Sequence, residues 1–116
     1  MSELGAKYDQ GKLLFGCFTQ GLAPVIKGVV AVLTYGARKY ARDSWQEVPN
    51  GRQRYMDALE RHLNEINMGE SHDKESGLPH IFHVVCNAMF VSWFDYKTPG
   101  YMGTDPYRFN EPPVNK

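Results

Sequence analysis

Apolar side chains recur along this chain at helical rather than strand spacing. From about Leu22 to Arg42, the residues Val25, Val29, Leu33, Gly36 and Tyr40 fall at i, i+4, i+8, i+11 and i+15, with Pro24 suited to a first turn. Gly36 on that stripe points either to the close approach of another helix or to a glycine that the helix merely tolerates. A second pattern runs from about Gly51 to Met68, where Tyr55, Ala58, Leu59, His62, Leu63 and Ile66 recur every three or four residues. Asp57, Glu60, Arg61, Asn64 and Glu65 take the other side, and Gly69 is placed to end the helix in a left-handed conformation. A third pattern starts behind Pro79 and ends near Asp95. It is apolar nearly all round (Ile81, Val84, Val85, Cys86, Ala88, Met89, Phe90), as a buried helix is, and Ser76 or Asp73 is placed to cap it.

The Gly69-to-Gly77 turn reverses the chain, so the second and third helices should form an antiparallel hairpin. The fold expected is all-α, a single domain over 1–116 with three main helices. It divides into an arm (1–20), a helical core (21–96) and an extended tail (97–116) rich in Pro and aromatic residues. Tyr101, Tyr107 and Phe109 predict that part of this tail packs on its own domain or on a neighbouring subunit. No internal repeat and no strand pattern stands out.

The few polar residues of the third helix share a face. His80, His83 and Asn87 point within about 60° of one another at 100° per residue, and a polar stripe on a buried helix needs partners. The nearest in sequence are His62 and the carboxylates of the turn, Glu70, Asp73 and Glu75. Imidazoles and carboxylates converging from two helix ends suit a divalent metal. A hard ion such as Mg²⁺ or Mn²⁺ would lean on Glu70 and Asp73, whereas Zn²⁺ would recruit His80 or His83. The same groups serve without a metal if His80, His83 and Asn87 orient the carboxylates or bind phosphate oxygens themselves, and the residues alone leave both readings open.

The first helix carries a second candidate surface, with Tyr35, Arg38, Lys39 and Arg42 on one face and Trp45 just beyond. Such a face can stack a base on Tyr35 or Trp45 and hold phosphates with its cations, although cations near a helix C-terminus are favourable without any ligand. Lys7 and Lys12 flank an Asp/Gly turn in the arm and are further candidates for an anion.

Charge and composition narrow the field. With 13 basic and 13 acidic side chains the net charge is zero, which disfavours bulk nucleic acid as the partner and confines anion recognition to local sites. No apolar run approaches a membrane span and no leader pattern opens the chain, so a cytosolic protein is expected. Cys17 and Cys86 have no CxxC spacing and read as reduced thiols. His72-Asp73 spells an HD pair, but one dipeptide is weak, and neither a P-loop nor a G-x-S-x-G elbow is present.

These residues together resemble a family. Lys7-Tyr8-Asp9 with Gly11-Lys12, Val32-Leu33-Thr34-Tyr35-Gly36-Ala37 with Lys39-Tyr40, Trp45, Arg54-Tyr55, Ala58, Arg61-His62-Leu63, Gly69-Glu70, Asp73, Glu75 to His80, His83 and Asn87 are similar to the small phage-borne domain named for the N-terminal part of dATP/dGTP diphosphohydrolases. The resemblance covers about residues 7 to 94 and is most specific from Glu75 to His83. It implies an all-α domain of phage origin that handles purine nucleotides, akin in helical architecture to MazG-like pyrophosphohydrolases.

Residues and resemblance lead to one expectation and one rival. The first is a homo-oligomeric protein of the infected cell's cytoplasm that hydrolyses a purine nucleotide phosphoanhydride with a divalent metal. Glu70, Asp73, His80 and His83 would be its catalytic and metal-holding residues, and Lys7, Lys12, Tyr35, Arg38, Lys39, Trp45, His62 and Asn87 its ligand-binding ones. The rival is a non-catalytic sponge that sequesters a nucleotide such as a bacterial immune signal.

Overall fold

A computed structural model describes residues 11–110. Among them the chain forms four α-helices, α1 (Gly16–Thr19), α2 (Ala23–Lys39), α3 (Gly51–Asn67) and α4 (His80–Lys97), with a 3₁₀ turn at Ser44–Glu47. The fold is all-α, and an isolated bridge between His72 and Pro79 is the only strand-like pairing among the described residues. Lys7 lies outside them.

The hairpin of α3 and α4 is the body of the molecule. α3 ends as its sequence dictates: Gly69 takes φ 94°, its N–H donates to the Ile66 carbonyl, and the Glu70 N–H reaches back to the Glu65 carbonyl. That paired arrangement satisfies carbonyls that a helix end would otherwise leave bare, and it aims Glu70 back along α3. α2 also packs on α4 but hardly touches α3, so a gap opens between α2 and α3 with α4 as its floor.

Packing against α4 depends on small residues. A Cβ on Gly28 would meet the Phe82 ring at 2.4 Å, and one on Gly51 would meet Phe94 at 2.5 Å. The core gathers Val29, Val32 and Cys86, with Leu78, Phe82, Val85 and Phe90 around them. Beyond Phe90, Trp45 stacks on that ring at 4.3 Å, Trp93 meets Trp45 edge-on at 5.0 Å, and the Tyr55 hydroxyl donates to the Trp45 carbonyl. Aromatic side chains bury large areas and prefer such offset and edge-on contacts, which is what anchors the 3₁₀ turn to α4.

Several expectations are corrected. Gly36 has no atom within 4 Å of where a Cβ would stand, so the close approach is made by Gly28 instead. The first main helix stops at Lys39 rather than Arg42, and one short helical turn, α1, lies inside the expected arm. α4 is not buried all round, since Ile81 is 49% and Met89 47% exposed. Neither Ser76 nor Asp73 caps α4. Pro79 precedes the helix without a side-chain cap, and the His80 N–H donates to the Ser71 carbonyl. Tyr101, Tyr107 and Phe109 are each more than 60% exposed, so the described part of the tail does not bury them on this chain. No helix among the described residues is long and apolar enough to cross a membrane.

Candidate functional site

Between α3 and α4 the turn 69–79 folds onto itself, with Asp73 and Ser76 half-buried and Ser71, His72, Lys74 and Glu75 exposed. Asp73 closes the turn, because its Oδ2 accepts both the backbone N–H and the hydroxyl of Ser76 at 2.8 Å while its own N–H donates to the Leu78 carbonyl. The Ser76 oxygen also lies 2.8 Å from His83 Nε2, and His83 Nε2 is 3.7 Å from Asp73 Oδ2. Asp73 and His83 are thus joined through one hydroxyl.

His62 reaches this group from α3. Its ring lies parallel to that of His83, 4.4 Å away, and its Nδ1 is 2.8 Å from Nδ1 of His80. Two Nδ1 atoms at that distance hold either one proton between them or lone pairs turned toward a common cation. His80, His83 and Asn87 are buried, and Asn87 donates to the His83 carbonyl one turn back.

Burial sets the charge state of the cluster. It lowers the pKa of His62, helped by the proximity of His83, and lowers that of His83 against the opposing pull of Asp73. Neutral imidazoles are the form that ligates metal. For Asp73 burial works against the charge, but the two Ser76 donors and His83 outweigh it and hold the carboxyl below its ordinary range. Burial pushes the Cys86 thiol up to about 12, so it stays protonated and unreactive.

Two sets of three side chains bring ligand atoms within 4.8 Å of one another: His62, Asp73 and His80, and Glu65, Glu70 and His80. Each fits a divalent ion by its chemistry, an imidazole-rich set in the first case and a carboxylate-rich one in the second. The expected group Glu70, Asp73, His80 and His83 is therefore not gathered as one set. His80 belongs to both, Asp73 and Glu70 fall into different ones, and His83 stands behind Asp73 through Ser76. Glu65 escaped notice because the helical pattern put it on the solvent side, although its i, i+3 relation to His62 was the available signal.

The cluster borders the gap between α2 and α3, a cleft of about 1480 Å³ lined by Tyr35, Arg38, Lys39, Arg42 and Trp45 on one side and by Arg54, Arg61 and His62 on the other, with Asp73, Glu75, His83 and Asn87 also in its lining. A smaller pocket of about 340 Å³ on the far side of His62 and Asp73 is lined by Glu65, Glu70 and His80. The basic aromatic face of α2 thus looks across at the histidines. Lys39 and Tyr35 both donate to Glu75, while Arg38 and Arg42 have no ion-pair partner among the described residues. Trp45 lines the cleft with one face already covered by Phe90. Lys12 is exposed and lines neither cavity.

A small helical domain with a histidine–carboxylate cluster at the end of a basic cleft has a counterpart among known families. Residues 2–103 match the family described as dATP/dGTP diphosphohydrolase, N-terminal, and the chain belongs to that family. A relative named dATP/dGTP diphosphohydrolase, from Salmonella phage PMBT28, is 37% identical over 93 residues. The match takes in 77% of this chain but spans only 29% of that relative. No solved structure matches.

Proposed function

We propose that this chain is a phage-encoded purine-nucleotide phosphohydrolase that works with a divalent cation in the cytoplasm of the infected cell. The observation that carries the reading is the meeting of His62 Nδ1 and His80 Nδ1 beside Asp73, where His62 and Asp73 line both the small pocket that holds His80 and the large cleft whose other wall is cationic and aromatic. The relative's printed name supplies the substrate class.

His62, Asp73 and His80 are the residues that would hold the cation, and two imidazoles with one carboxylate suit a transition-series ion such as Zn²⁺ or Mn²⁺ better than Mg²⁺. When bound, such an ion supplies Lewis acidity that offsets charge on phosphoryl oxygens. The chain's own groups do the rest. Arg38, Arg42, Arg54 and Arg61 line the walls where a polyphosphate would run, so the electrostatic stabilisation of the transferring group comes from fixed guanidinium charges. The Ser76 hydroxyl holds Asp73 in place and, with His83, provides a route for a proton away from the reacting centre. Apolar side chains left open on α2 and α4, such as Val30, Ile81 and Met89, are surfaces for a second copy, and the reading includes a homo-oligomer.

The rival reading, a pocket that holds a nucleotide without cutting it, needs the cationic and aromatic walls of the cleft but no metal. The two readings separate when saturated protein is denatured and its nucleotide recovered. Cleaved product with Mn²⁺ present supports hydrolysis, and intact nucleotide after hours supports the sponge.

A further inference from the structure

In the lining of the cleft, two donors from α2 converge on a single carboxylate oxygen. The Tyr35 hydroxyl lies 3.0 Å and Lys39 Nζ 2.9 Å from Oε2 of Glu75. Tyr35 and Lys39 are one helical turn apart, so α2 builds this pair of donors by itself, whereas Glu75 arrives from the turn 69–79. The three groups line the same cleft as His62, Asp73 and His83.

We infer that Tyr35 and Lys39 form a seat for a phosphoryl oxygen of the nucleotide, and that Glu75 is an internal competitor for that seat. The inference rests on the cleft being the nucleotide site. A hydroxyl and an ammonium converging on one oxygen make a site for an anionic oxygen of either kind, carboxylate or phosphoryl. The contact suits exchange, because the Lys39 and Glu75 side chains are 41% and 63% exposed and an ion pair so open to water is weak. A phosphate brings more charge than a carboxylate to the same two donors and leaves Glu75 free to swing into solvent. Glu75 then sets a threshold: ligands with a phosphoryl group at this position displace it, and uncharged nucleosides do not.

The test is calorimetric titration of inorganic pyrophosphate and of a non-hydrolysable dGTP analogue into the full chain and its variants, with helix content checked by circular dichroism. Glu75→Gln and Glu75→Asp should each bind both probes roughly threefold to tenfold more tightly than the original chain, and Lys39→Met should bind them at least about tenfold more weakly. Glu75→Asp keeps the charge but shortens the arm, so its tightening separates competition for the seat from a simple change in net charge. Unchanged or weaker binding by Glu75→Asp, while the original chain binds the analogue, overturns the competitor and leaves the proposed function standing. If the original chain binds neither probe, the cleft is not the nucleotide site and both readings fall.

Discussion

Nδ1 of His62 on α3 and Nδ1 of His80 on α4 lie 2.8 Å apart, although 18 residues separate them in sequence. The turn that begins at Gly69 brings them together, and Asp73 in the same turn completes their set. His80→Ala removes the one side chain common to both sets of candidate ligands. It should weaken Mn²⁺ binding by at least about tenfold and lower kcat on a purine nucleotide by about 10²–10⁴-fold. Calorimetry and a phosphate-release assay check the two effects, and unchanged Mn²⁺ affinity would remove the metal from the account.

Stability should fall as the medium turns acidic. The pKa values of His62 and His83 are lowered from the ordinary 6.5, chiefly by burial, so the unfolded chain takes up protons that the folded chain resists. Their contribution is complete above about 6.5 and diminishes as pH drops through that value. Asp73 is lowered from its ordinary 3.8, so what it contributes is present above that value and disappears as pH falls through the lower folded one. Urea midpoints at pH 7.5, 5.5 and 3.5 should therefore descend in that order. A flat profile would mean that the imidazoles are not buried in a neutral form.

Two glycines on α2 should respond oppositely to the same substitution. Gly28→Ala drives a methyl group into the Phe82 ring, which a Cβ would meet at 2.4 Å, and should cost about 1–3 kcal/mol. Gly36→Ala meets nothing within 4 Å and should gain about 0.5–1 kcal/mol through helix propensity. Denaturant unfolding of the two variants measures both.

Ser76→Ala takes away one donor to Asp73, the acceptor that the Leu78 N–H uses and the partner of His83 Nε2. The loss should be about 1–3 kcal/mol, and the Asp73 pKa should rise because one of the bonds that stabilises its charge is gone. NMR titration of the Asp73 carboxyl reads the second effect directly.

Much of the fold was legible because helical periodicity and glycine placement are local signals. The stripes around Val29 and Ile66 located α2 and α3, and Gly69 located the end of α3 through a left-handed conformation that glycine adopts freely. The polar stripe His80, His83, Asn87 on α4 showed that something had to meet it. What could not be read was which partners would. His62 and His80 meet through their Nδ1 atoms because of how α3 and α4 rotate against each other, and no local pattern encodes that rotation. Glu65 is hidden for the same reason, and Glu75 reads in sequence as one more acid in the turn because its partners Tyr35 and Lys39 lie 40 and 36 residues away. The exposed faces of α4 misled as well, since apolar side chains look the same in sequence whether the chain covers them itself or leaves them open.

Under the proposed function, the site cuts a purine nucleotide rather than holding it. Phosphorus NMR of dATP and dGTP incubated with Mn²⁺ and the purified chain, beside its Asp73→Asn variant, tests this most directly. Loss of the triphosphate signals with the original chain, slowed by about 10²-fold or more in the variant, is the predicted result. Triphosphate signals that persist unchanged with the original chain, or that disappear equally fast with both proteins, would contradict it.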